Sequence, residues 1–97
     1  MELKILSGAD EDIRREFTRW FENEKGELFY YILDEKLELL RNFPLLGQVY
    51  QGSYRRLLIS EFQLGIYYEA IPSIHVHAIL PLRIHPDNVV NLSHFSF

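Results

Sequence analysis

The apolar residues of this chain change period at Pro44. Upstream of it, Ile13, Phe17, Trp20 and Phe21, then Phe29, Ile32, Leu33, Leu37 and Leu40, recur at steps that place each set along one side of a helix. Lys36 is the one polar residue within the second stripe, and its stem can snorkel. Downstream, alternate residues are apolar: Leu64, Ile66 and Tyr68 form one set, and Ile74, Val76, Ala78 and Leu80 another. A chain that is helical first and stranded afterwards must bury a helical layer against a sheet.

The local signals place the elements. Glu2 to Leu6 alternates and predicts a short first strand. Ser7 is expected as N-cap of the first helix, with Asp10, Glu11 and Asp12 in its first turn, where the helix dipole favours negative charge. Asp10 with Arg14 and Glu11 with Arg15 are acid-before-base pairs at i, i+4 on the solvated side. Gly26 marks a short turn into the second helix, which ends at Asn42-Phe43-Pro44 because proline cannot extend it and restricts the residue before it. Beyond a polar stretch through Gln51, Gly52 and Ser53, strands are predicted over Tyr54–Ile59, Gln63–Ala70 and Ile74–Leu80, with turns at Glu61-Phe62 and Pro72-Ser73. Connections this short pair them as an antiparallel meander, and the first strand joins the sheet after the helical hairpin. The expected fold is α+β, in the order β-α-α-β-β-β, an antiparallel sheet packed against a helical hairpin. Asp87 to Phe97 is expected as a short helix or loop, with Leu92, Phe95 and Phe97 available for packing.

Composition narrows the function classes. With 97 residues, 47% apolar and 25% charged, the chain suits one globular domain over 1–97 and not a disordered tail or coiled coil. It has no cysteine, so thiolate zinc sites, disulfides and cysteine nucleophiles are excluded, and a cytoplasmic location is expected. Neither a signal peptide nor an apolar run of membrane-spanning length is visible, so no membrane partner is expected. The net charge of −4 argues against strong direct nucleic-acid binding, though not against a local basic patch. No cofactor is expected.

The order of elements carries further motifs: Ser7 to Asp12 before the first helix, Asn42-Phe43-Pro44-Leu45-Leu46-Gly47 after the second, Tyr54-Arg55-Arg56-Leu57 opening the meander, and Phe62 to Tyr68 ending in Ile66-Tyr67-Tyr68. Together, from about Leu3 to Pro86, they resemble the RelE/ParE superfamily of bacterial toxins. The resemblance implies the toxin of a type II toxin–antitoxin module, neutralised by a cognate antitoxin protein. RelE-like members cut messenger RNA on the ribosome; ParE-like members poison DNA gyrase. In the RelE-like branch the resemblance implies an Arg on the strand corresponding to Gln63–Ala70, and Arg with Tyr or His near the C-terminus. With Ile66-Tyr67-Tyr68 in register, that strand's Arg position holds Gly65. In the C-terminal motif the His and Arg positions hold Pro81 and Ile84, with Arg83 and His85 one residue to either side of the latter and Pro86 matching.

The expected function is therefore that of a ParE-like toxin that binds a protein target such as DNA gyrase. The alternatives are a ribosome-dependent endoribonuclease using Arg55 or Arg56, Arg83 and His85, and a decayed toxin that binds only antitoxin. Arg55, Arg83 and His85 are the catalytic candidates; Arg55, Arg56 and Arg83 are the candidates for target or antitoxin contact. On a strand, Arg55 and Arg56 point to opposite faces, so at most one joins a given site, and either can instead pair with Glu61 or Glu69. His75 and His77 share a strand at metal-ligand spacing, but a site needs a third ligand such as Glu69 or His94. The simpler expectation is that they cover the solvent face. Trp20, with Phe17 and Phe21, is expected in the core and not as a base-stacking platform.

Overall fold

The computed structural model describes residues 1–84. Its elements are β1 (Leu3–Ile5), α1 (Ser7–Glu22), α2 (Gly26–Asn42), β2 (Gln48–Gln51), β3 (Tyr54–Ile59), a 3-10 turn over Ser60–Phe62, β4 (Leu64–Glu69) and β5 (Ile74–Pro81). They form one five-stranded sheet in the order β1-β5-β4-β3-β2. β2 to β5 pair antiparallel, as the short connections require. The sheet is mixed and not wholly antiparallel, because β1 lies parallel to β5, with Leu3 opposite Ile74 and Ile5 opposite Val76. A strand that departs through a helical hairpin and is rejoined by the last strand of the meander can take that direction.

Both helices cover one face of the sheet. Ala9 and Ile13 of α1 and Phe29, Leu33, Leu37 and Leu40 of α2 close on Ile59, Leu64, Ile66, Tyr68, Ile74, Val76 and Ile79. α1 lies along β5, and the hairpin closes tightly at Gly26: a Cβ there would sit 3.0 Å from the Phe17 ring and 3.1 Å from the Phe21 backbone. The α+β layering and the helical hairpin are those predicted from period.

Several local expectations are corrected. Ser7 is the first helical residue and not the N-cap; Leu6 takes that position, its apolar side chain offers no cap, and its N–H donates to Val76 O, which carries the ladder up to the helix. Asp10 and Arg14 form their pair at 3.1 Å, but Arg15 turns from Glu11 to Asp12 at 3.0 Å. Phe21 is 65% exposed, since one residue beyond Trp20 the helix has rotated away from the core, and its ring rests beside that of Phe17. Trp20 is half-buried and packs edge-on against Phe62, with ring centroids 4.8 Å apart.

The supposed polar stretch contains β2. Gln63 lies outside β4, with a left-handed φ of 56° after the 3-10 turn. Pro81 closes β5 opposite Leu64, at a strand end where a missing N–H is tolerated. β5 also bulges: Tyr67 pairs with Ala78 but Tyr68 with Val76, leaving His77 as the extra residue. The four residues expected on one face are thus split, with Ile74 and Val76 in the main core and Ala78 and Leu80 in a cluster with Tyr67 and Tyr50. His85, Pro86, His94 and the 87–97 tail lie outside the described residues.

Candidate functional site

The helix-free face of the sheet gathers the polar side chains. β3 sends Arg56 there, opposite Tyr67 of β4, whereas Arg55 pairs with Tyr68 and so lies on the helix side. The Tyr50 ring meets that of Tyr67 edge-on, with centroids 5.3 Å apart, and Tyr54, Glu69 and His77 form a second group. The bulge places His77 so that its Nε2 donates to Glu69 Oε1 at 2.9 Å; with a carboxylate as acceptor, Nε2 is the protonated nitrogen. Ser53 Oγ donates to the other oxygen, Glu69 Oε2, at 2.6 Å. The Tyr54 ring meets His77 edge-on, with centroids 5.1 Å apart. Burial, then the Glu69 carboxylate, pushes the Tyr54 phenol up to about 12. The guanidinium of Arg56 lies 5.3 Å from the centroid of the Tyr50 ring, a cation–π geometry.

Carboxylate, imidazole and phenol are the inventory of acid–base chemistry, but here each is committed. Glu69 is bound through both oxygens, Tyr54 holds its proton far above neutrality, and His77 is only 3% exposed. Tyr50, Tyr54, Tyr67 and His77 are each engaged in further interactions. His77 is therefore buried and does not cover a solvent face, and His75 is occupied with Ser73 at 3.1 Å. Among the described residues, no group of three His, Asp or Glu is placed to hold a metal ion.

The candidates from sequence do not converge. Arg55 turns to backbone: its Nη1 donates to Gly47 O at 2.8 Å and to Leu45 O at 3.2 Å. Tyr68 completes that clamp, accepting the Gly47 N–H at 2.8 Å and donating to Pro44 O at 2.9 Å. Burial raises the Tyr68 phenol, opposed by the Gly47 N–H and Arg55. A Cβ on Gly47 would lie 2.7 Å from the Tyr68 hydroxyl, so the tight approach requires glycine. Arg83 is exposed in the turn after β5, where Leu82 N–H donates to Gln63 O, at the opposite end of β4 from Arg55 and Glu69. Neither arginine of β3 pairs with Glu61 or Glu69: Lys36 approaches Glu61 at 4.0 Å, and His77 holds Glu69. His85 lies outside the described residues.

Gly65 bears on the chemistry most directly. A Cβ there would meet Arg56 Cδ at 3.1 Å and Cγ at 3.2 Å, so the stem of Arg56 occupies the space a side chain at 65 would need. The roles of Tyr50, Tyr54 and Tyr68 were missed in the sequence; the aromatic richness of 48–68 is the one signal that pointed to them.

No protein-family model matches the chain, and no curated protein matches it. Among the described residues, no helix is long and apolar enough to cross a membrane.

Proposed function

We propose that this chain is the toxin of a type II toxin–antitoxin module, ParE-like in that it acts in the cytoplasm by binding a protein target such as DNA gyrase, and is neutralised by a cognate antitoxin. The ordered motifs quoted above support the family, and the strand–helix–helix–strands order is compatible with it. The observation that carries the choice of a binder is at Gly65. The nuclease branch implies a cation there for the phosphate, and here the residue has no side chain and its space is filled by the Arg56 stem. Arg55 is spent on the loop carbonyls, which leaves it a structural anchor.

One observation favours a second reading. Arg56 fills the space over Gly65 on the helix-free face, so its guanidinium is a substitute for the cation missing at 65, as a ribosome-dependent endoribonuclease would need. Purified chain is to be added in parallel to a gyrase supercoiling reaction and to ribosomes translating a defined message. Loss of supercoiling with the message intact is the expected result. Message cleavage that disappears in Arg56→Gln would establish the nuclease instead.

A further inference from the structure

The two edges of the sheet are built differently. β1 carries Lys4 and follows Glu2, and such charges discourage another strand from pairing there. β2 is uncharged: Gln48, Val49, Tyr50 and Gln51. On one side it pairs with β3, and among the described residues no strand pairs with its other side. Alternate N–H and C=O groups of an edge strand point outward and need partners. From Gln48 to Ile59 there is no carboxylate; Arg55 is held by the Leu45 and Gly47 carbonyls near Glu69, so Arg56 is the cation this edge offers to a partner.

Apolar side chains gather at the same edge. Val49 is 62% exposed, Leu45 58% and Ile71 79%, and Leu46 and Leu58 are exposed beside them. They line two hollows that flank β2, one holding Leu45, Val49, Arg55, Ile71 and the Glu69 carboxylate that Ser53 and His77 already bind, the other Leu46, Gln48, Arg56 and Leu58. The loop that presents Leu45 and Leu46 is nailed down by Tyr68 and Arg55, so little ordering remains to be done on binding. Among the described residues Arg56 makes no ion pair.

We infer that β2 is the docking edge for an extended segment of a partner protein, aliphatic at alternate positions and acidic between them, which adds a sixth strand to the sheet. Side chains of such a strand alternate in direction, which suits hollows on either side of β2, and a carboxylate in the second hollow meets Arg56. A second copy of this chain fits worse, because it would bring two arginine-bearing edges together. The inference stands on the edge alone and does not depend on the toxin reading.

The test is an amide NMR titration of the whole chain with the synthetic peptide Asp-Val-Glu-Leu-Asp-Val-Glu, and with the same peptide carrying Lys at every acidic position. Expected are shifts centred on 48–51 and on Leu45 and Leu46, with the acidic peptide binding about tenfold or more tightly at low salt. Val49→Lys, an exposed change that keeps the melting temperature, should weaken it by a similar factor. Shifts centred elsewhere, none at millimolar peptide, or equal affinity for the lysine peptide would overturn the inference. So would a dimer in sedimentation that Val49→Lys dissolves, since the edge would then belong to a second copy.

Discussion

Tyr68 shows how one hydroxyl organises a loop. It satisfies the Gly47 N–H and the Pro44 carbonyl at once, from a ring fully buried in the core. Tyr68→Phe keeps the ring and strands both backbone groups, so it should cost about 1–3 kcal/mol in urea denaturation. An unchanged midpoint and slope would show that water replaces the hydroxyl without loss. Tyr54 gives a pH dependence whose sign is fixed by burial. Its pKa is raised from 10.0 to about 12, so the folded state disfavours the phenolate. That contribution is complete below pH 10 and is lost as pH rises through about 12. Tyr54→Phe should therefore flatten the alkaline limb of stability in that window, and Glu69→Gln should lower the pH at which Tyr54 phenolate absorbance appears. An alkaline limb unchanged in Tyr54→Phe would place the titration in another tyrosine.

Helix α1 carries the clearest case of an element overriding residue type. Glu16 is fully buried, yet among the described residues the cations it approaches are Arg15 Nε at 3.6 Å and Arg19 Nη1 at 3.9 Å, and neither carboxylate oxygen has a hydrogen-bond donor. A buried charge so loosely paired is often replaced without loss by an apolar residue of similar size. Glu16→Met should leave stability unchanged or raise it by about 1–4 kcal/mol, read as a higher melting temperature. A drop of more than about 1 kcal/mol would show that the two guanidinium contacts outweigh desolvation. The helix itself was legible, because Ile13, Phe17 and Trp20 recur at its period, but Phe21, expected in the core with them, is exposed, and nothing in the period marks Glu16 as buried. Period locates a stripe without fixing its edges. β2 escaped notice because four residues with two polar ends make no pattern. The bulge at His77 was equally hidden: one extra residue sends Ala78 and Leu80 to the other face without leaving a mark in the sequence. Arg55 was visible as a candidate, but not as a loop anchor, since its acceptors Leu45 and Gly47 reach it only when α2 ends and the chain turns back along the sheet.

At the scale of the molecule, helices occupy one face of the sheet, and the other holds an interlocked set of Tyr54, Glu69 and His77, with Arg56 on the same face over Tyr50 and Gly65. The three arginines that follow Pro44 are dispersed: Arg55 on the helix side, Arg56 on the opposite face, and Arg83 in the turn beyond β5. Transition-state charge on a phosphate needs donors aimed at one point, and dispersal of this kind suits recognition better than catalysis. A binder of the kind proposed would stop one machine without degrading messages. The most direct measurement is the rate of thymidine against leucine incorporation in bacterial cells over the first minutes after the chain is induced. Thymidine incorporation is expected to fall first, with filamentation, while leucine incorporation continues; an immediate fall in leucine incorporation with cleaved messages, or no change in either rate, would contradict the proposed function.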